Sequence, residues 1–223
     1  VNRLVAGKNA DKELTQLFIK VGRIQFILLF LIASGFIIFG RYFISFWAGD
    51  GYEDAYIIVL LLIIPITVPL IQNLGIEIQR AKNKHQLRSI IYLVMAIINV
   101  TISIPLAQRY GGIGAALGTG ISYILGNGIA MNIIYQTQIG INILSFWKSI
   151  LSFIPGLIAP IIMGICICEF IEFVSVAQFV MWIIIYAVVY IVSMWLLGMN
   201  KYEKELIRGA ISKVCIIWRE NNG

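Results

Sequence analysis

The chain predicts an all-α membrane protein with six transmembrane helices, and three observations carry that prediction. Hydrophobic residues make up 60% of the 223 positions and charged residues 13%, where a soluble domain carries about 25% charged; the mean hydropathy is +0.90. Six apolar stretches can be read along the chain, each near the roughly 20 residues a helix needs to cross a bilayer. None has the period-two alternation of a membrane strand. Lys and Arg collect in alternate connections, as the positive-inside rule requires. A soluble protein of this size has too little polar surface to cover so much apolar area. Soluble enzymes, nucleic-acid-binding domains and disordered segments are thereby excluded, and the net charge of +6 concerns membrane orientation.

The first 23 residues mix Arg3, Lys8, Asp11, Lys12, Glu13, Lys20 and Arg23, without the short apolar core and cleavage site of a signal peptide. Val1 in place of Met reads as a point where a longer chain was cut. The spans follow at 24–47, 56–79, 89–107, 113–135, 149–168 and 175–197. Only the turn 108–112 separates the third from the fourth, and only a short segment around Glu172 the fifth from the sixth. Fifteen of the seventeen Lys and Arg residues fall on the side shared by both chain ends, the exceptions being Arg41 and Arg109. Asp50, Glu53, Asp54, Glu169 and Glu172 fall on the other side. Both ends are therefore expected to be cytoplasmic. Trp47, Tyr52, Tyr56 and Tyr110 mark the outer interface, and Tyr135, Trp147 and Trp195 the inner one.

All external connections are short, which leaves no room for a catalytic domain. The tail sets Leu206, Ile207, Ala210, Ile211, Val214 and Trp218 on one helical face, with Lys204, Arg208 and Lys213 largely away from it. That pattern predicts an interfacial amphipathic helix. Cys166, Cys168 and Cys215 have no metal-binding or redox spacing, and His85 sits in a basic loop. No nucleophile–base pair, phosphate loop or metal cluster is present. The chain is expected to be neither an enzyme nor a cofactor protein.

Function is then sought in the polar and helix-breaking residues within the spans. Pro65, Pro69, Pro105, Pro155 and Pro160 each remove a backbone donor and are hinge candidates, since kinked helices bend in transporters. Pro65, Pro69, Asn73 and Glu77 recur every four residues, with Gln72 and Arg80 beside them. Such a face should look into protein or a water-filled cavity. Glu77 has two readings, a local ion pair with Arg80 at i+3 or a cavity-lining carboxylate. Arg41 either snorkels to the headgroups or meets an anionic substrate. Asn99, with Thr101 and Ser103, suits interhelical hydrogen bonding; with Arg41, Gln72, Asn73, Glu77 and Arg80 it is also a candidate for the substrate path. Gly114, Gly118, Ser122 and Gly126 repeat every four residues and allow close helix approach, by intramolecular packing in preference to dimerisation.

Three strings then bring a family into view. Residues 40–56 (GRYFISFWAGDGYEDAY) are similar to the span end and outer loop of bacterial polysaccharide flippases. Residues 76–85 (IEIQRAKNKH) are similar to a helix exit into a basic loop of the same proteins. Asn99 followed by residues 110–119 (YGGIGAALGT) resembles the pattern that joins two late helices there. The resemblance is to Wzx-type exporters of the multidrug/oligosaccharidyl-lipid/polysaccharide (MATE-like) superfamily, and it covers roughly residues 1–145.

The resemblance implies a division of the chain. Residues 1–145 would be the four-helix later part of the second lobe of a 12–14-helix, two-lobe transporter. Residues 146–198 would be two accessory helices, and 199–223 a cytoplasmic tail. It implies translocation of undecaprenyl-diphosphate-linked oligosaccharide units to the outer leaflet of the bacterial cytoplasmic membrane, for capsule, exopolysaccharide or O-antigen. The implied partners are the lipid-linked oligosaccharide, membrane lipids, the absent N-terminal lobe, and polymerase and export machinery, with no nucleic acid. Two other readings stand beside it: a cation-coupled drug exporter using Glu77, and a membrane-embedded polymerase or acyltransferase. The last would ordinarily carry a long external loop or an intramembrane His, and neither is found here.

Overall fold

A backbone inside a bilayer must satisfy its own polar groups, and a helix does so within one segment. The computed structural model describes residues 10–49, 51–209 and 212, which are helical with short connections and contain no strand. Readings made at Val1, Arg3, Lys8, Asp50, Ala210, Ile211, Lys213, Val214, Cys215, Trp218 and Arg219 fall outside the described residues.

The helices are α1 (Ala10–Ala48), α2 (Glu53–Ile71), α3 (Leu74–Ala81), α4 (His85–Ile139), α5 (Ile143–Leu151), α6 (Ile154–Phe170) and α7 (Val176–Gly198). An eighth, α8, covers 201–209. Helices α1, α2, α4 and α7 are each long and apolar enough to cross a membrane, and α5 with α6, bent by 43°, form a fifth candidate. Together they define an all-α, multi-pass membrane protein.

Three boundaries differ from the sequence reading, each for a local reason. Helix α1 begins well before residue 24 because Leu14, Phe18 and Gly22 already bury one face against α5 and the end of α4. The span expected over 56–79 is broken at Gln72–Asn73 into α2 and α3, just after two prolines that weaken its ladder. The span expected from 149 is likewise divided at Ser152–Phe153.

Helix α4, at 55 residues, is far too long for one crossing, and the chain reverses within it. Gly111 has φ 58° and ψ −136°, a conformation open to glycine and costly for any other residue. Past it the two halves lie antiparallel. Gly114 abuts Leu106, Gly118 abuts Ser103 and Gly126 abuts Met95, so the paired residue numbers sum to nearly the same value. A Cβ at Gly118 would overlap Ser103 Oγ, and one at Gly126 would overlap Met95 Sδ. The small-residue stripe is what lets these backbones approach.

Helix α1 is the mast of the bundle, packing on α2 to one side and on α5, α6 and α7 to the other. Helix α4 packs on α2. Tyr186 Oη donates to Ser34 Oγ at 2.8 Å and Tyr190 Oη to Ile27 O at 2.9 Å, joining α7 to α1. The connections 82–84, 140–142, 152–153 and 199–200 gather at one end of the bundle. Lys82 reaches Asp11 and Ile139 there, and Lys84 reaches Gln138. Connections near 49–52, 111 and 171–175 gather at the other end, where Phe39 and Tyr42 meet Phe173 and Gly112 meets Ile58.

One ion pair sits inside the basic end. Arg23 and Glu203 have side chains only 6% and 1% exposed. Arg23 Nε donates to Glu203 Oε1, and Nη2 to Oε2 at 3.0 Å. Nη1 also donates to Ser149 O and to Ser152 Oγ at 2.6 Å, and Nη2 to Gly198 O at 3.2 Å. The guanidinium lies 4.0 Å over the ring of Phe153. Glu203 Oε2 accepts from Asn200 N at 2.8 Å while Glu203 N donates to Asn200 Oδ1 at 3.0 Å, the reciprocal capping box that opens a helix. The tail helix is therefore clamped to the bundle by a buried ion pair, an addition to the membrane-surface anchor expected from sequence. Of its expected apolar face, Leu206 is exposed and Ile207 half-buried.

Glu203→Ala should destabilise the protein by about 3–5 kcal/mol, because Arg23 would remain charged, buried and unpaired. Arg23→Met combined with Glu203→Met should cost considerably less, since both charges leave together. Thermal unfolding in detergent compares the two; equal losses would contradict the assignment.

Candidate functional site

Proline breaks and π-helical turns leave carbonyls without helical donors, and polar side chains nearby take up several of them. Residues Ile124–Ala130 of α4 form a π-helical stretch. Asn132 Nδ2 donates back to Asn127 O at 3.1 Å and Gly128 O at 2.7 Å. Its Oδ1 accepts from Gln72 Nε2 at 2.8 Å and Trp147 Nε1 at 3.3 Å. The Asn132 amide is thus fully used, and it joins the α2–α3 break to α4 and α5. Gln25, with its amide nitrogen toward α2, donates to Leu70 O at 3.1 Å and Ile71 O at 3.3 Å. Sequence reasoning missed Asn132 and Gln25. It read Trp147 as an interface marker, whereas its indole N–H points at Asn132.

The sequence candidates are not all brought together. Gln72 is buried in this amide cluster, while Asn73 is exposed. The break between α2 and α3 means that Pro65, Pro69, Asn73 and Glu77 do not share one continuous helical face. Glu77 Oε1 accepts from Arg80 Nη1 at 2.9 Å, an exposed i,i+3 pair. Arg41 lies far off at the other end, its guanidinium 5.2 Å from the Tyr56 ring centre, in a pocket of about 310 Å³ shared with Glu53 and Asp54.

Among the prolines, Pro65 and Pro160 are buried inside α2 and α6, and Pro69 is half-buried. Pro105 is exposed within α4. Pro155 lies in the first turn of α6, where its missing N–H breaks no helical bond, beside the 43° bend between α5 and α6. Asn99 Oδ1 accepts from Ser103 Oγ at 2.6 Å and from Thr119 Oγ1 at 3.3 Å, tying the two halves of α4 together. Gly114, Gly118, Ser122 and Gly126 are all buried against the first half of α4, with Ser122 Oγ donating to Gly118 O at 2.9 Å.

What the structure does assemble is a groove of two pockets along the α4 hairpin, mostly apolar in lining with amides and hydroxyls set into it. A pocket of about 260 Å³ is lined by Tyr92, Met95, Asn99, Ser122, Tyr123 and Asn127. A second, of about 690 Å³, opens at the basic end beside Arg80, His85 and Arg88. Tyr92 lines both. Its hydroxyl donates to Asn127 Oδ1 at 3.4 Å and accepts from Arg88 Nη2. Eleven residues separate Arg88 from Asn99, about 16 Å at 1.5 Å per residue, or roughly half the hydrocarbon thickness of about 30 Å. Both pockets carry hydrogen-bonding side chains, and the one at the basic end also carries Arg80, His85 and Arg88. No group of His, Cys, Asp and Glu among the described residues could hold a metal ion.

Searches against protein-family models, curated proteins and solved structures returned no match.

Asn132→Leu would strip Gln72 and Trp147 of their acceptor and two α4 carbonyls of their donor, at roughly 1–3 kcal/mol for each group left unsatisfied. The variant should unfold at a clearly lower temperature in detergent. An unchanged transition would remove the amide cluster from the list of what holds the α2–α3 break.

Proposed function

We propose that this chain is part of a flippase for lipid-linked oligosaccharides in the bacterial cytoplasmic membrane, of the Wzx type. Its six crossings are α1, α2 with α3, the two halves of α4, α5 with α6, and α7, with both ends cytoplasmic. The observation that carries the reading is the groove of α4, which sets Arg80, His85 and Arg88 at its mouth and Asn99, Ser122 and Asn127 further in. A lipid-linked sugar needs a hydrated path for its headgroup, because polar groups in bare hydrocarbon cost several kcal/mol each. The groove supplies one side of such a path, and a further lobe of the transporter would supply the other.

Three further points support it. The strings at 40–56, 76–85 and 110–119 resemble that family, and the connections between the described helices are all short, which favours transport over external catalysis. Glu77 is paired to Arg80 at the protein surface, a poor arrangement for the coupling carboxylate of a cation-driven exporter. The sorting of Lys82, Lys84, Arg80, Arg88 and Arg23 to one end supports a cytoplasmic assignment for that end.

In cells lacking the gene and any redundant flippase, outer-leaflet delivery of the lipid-linked unit should fall to background, with the unit accumulating on the cytoplasmic leaflet. Leaflet-specific labelling of the sugar measures this. Delivery at the parental rate would sink the reading.

A further inference from the structure

Three independent features converge on the pocket of about 690 Å³ between α3 and the start of α4. The first is charge. Arg80, His85 and Arg88 line it, whereas the neighbouring Lys82 and Lys84 are turned away, holding Asp11, Ile139 O and Gln138 O. Arg80 uses Nη1 for Glu77 in a pair whose side chains are 66% and 56% exposed, so the rest of its guanidinium remains available. No carboxylate lines the pocket among the described residues.

The second feature is a helix end. His85 begins α4, and Lys84 before it makes no side-chain capping bond. The first-turn N–H groups of a long helix therefore stay free beside a pocket lined by His85, Arg88 and Ser89. Such an end carries partial positive charge and unused donors. It is presented here by a Schellman turn. Asn83 takes φ 57°, Asn83 N donates to Arg80 O at 3.0 Å and Lys84 N to Gln79 O at 2.8 Å.

The third is Gln79. Its side chain is 0% exposed, neither Nε2 nor Oε1 has a partner, and it lines this same pocket. A buried amide without partners calls for an explanation, and this one stands in the wall of the pocket.

We propose that this pocket binds a phosphate or diphosphate group, held by Arg80, Arg88, His85 and the free N–H groups at the start of α4. Guanidinium forks match phosphate oxygens in geometry as well as charge, and a helix N-terminus adds its dipole. The volume exceeds one phosphate and leaves room for a diphosphate and the first group attached to it. Tyr92 joins the pocket to the α4 groove, so the bound group stands at the groove's mouth. The inference deepens the flippase reading, and a lipid diphosphate as occupant rests on that reading; phosphate binding rests on the pocket alone.

The test titrates the full chain in phosphatidylcholine nanodiscs with inorganic pyrophosphate, undecaprenyl diphosphate and phosphatidylglycerol, following tryptophan fluorescence. Arg80→Gln with Arg88→Gln should weaken pyrophosphate and undecaprenyl diphosphate binding by about tenfold or more. The charge-matched control Lys201→Gln with Lys204→Gln should change either by less than about twofold. Arg88→Lys, which keeps the charge and loses the fork, should fall between. Unfolding temperatures matching the parent's establish that the variants are folded. Displacement of pyrophosphate by phosphatidylglycerol, with no binding of undecaprenyl diphosphate, would support the phosphate site and assign it to bulk anionic lipid. A parent chain that binds no probe, or a loss no larger than the control's, overturns the proposal. Failure of the flippase reading would leave these affinities standing, whereas flipping with pyrophosphate binding intact in the double variant would remove this site alone.

Discussion

The Arg23–Glu203 pair is the constraint on which the basic end of the bundle depends. A charge taken out of water is tolerated only when it is paired and its remaining donors are used. Arg23 meets that condition by drawing in the ends of three helices. Ser149 O lies in the last turn of α5 and Gly198 O ends α7, both among the carbonyls that helices leave without partners. Arginine suits this role because it has five donors and no acceptor. The α5–α6 bend, the close of α7 and the start of α8 are therefore fixed by one side chain on α1. Glu203 contributes twice, as counter-ion and as the cap of its own helix.

The same logic recurs on the other side of α1. Pro65 cannot donate to Leu61 O, and Gly120 of α4 lies so close that a Cβ there would sit 2.7 Å from that carbonyl. Where α2 ends, Gln25 of α1 serves Leu70 O and Ile71 O. Breaks in membrane helices persist where a neighbour satisfies the freed backbone, as Gln25 does at the end of α2. At the basic end three side chains keep hydrogen-bonding capacity to spare: Arg80 spends Nη1 on Glu77, Arg88 spends Nη2 on Tyr92, and Gln79 spends none.

Much of the architecture was legible because it depends on composition and period. Span length, the reversal at Gly111 and the stripe of Gly114, Gly118, Ser122 and Gly126 are all visible as patterns. The α2–α3 break was not, since prolines weaken a ladder without saying where it parts. Treating residues 56–79 as one helix put Pro65, Pro69, Asn73 and Glu77 on one continuous face, which the break divides. Arg23 was counted with Lys12 and Lys20 as an interfacial cation, because charge counting carries no information about burial. The available cue was Asn200-x-x-Glu203, a capping-box spacing, which marks where α8 starts and still says nothing about Arg23. The bonds from Gln72 to Asn132 and from Gln25 to the end of α2 join helices far apart in sequence, and no local spacing encodes them.

The basic residues make the point most sharply. By charge alone Arg80, Lys82, Lys84 and Arg88 are one cluster, and the positive-inside rule uses them interchangeably. Folded, they divide. Lys82 and Lys84, flexible point charges, cap carbonyls at the far end of α4 and hold that helix's two ends together. The two arginines flank the uncapped start of α4, Arg80 with one nitrogen paired to Glu77. The turn that separates them needs Asn83 in a left-handed conformation, which asparagine adopts more readily than most residues. One residue's backbone angle thus decides which cations are consumed by the fold and which remain for a ligand, and that partition separates a topogenic loop from a binding site.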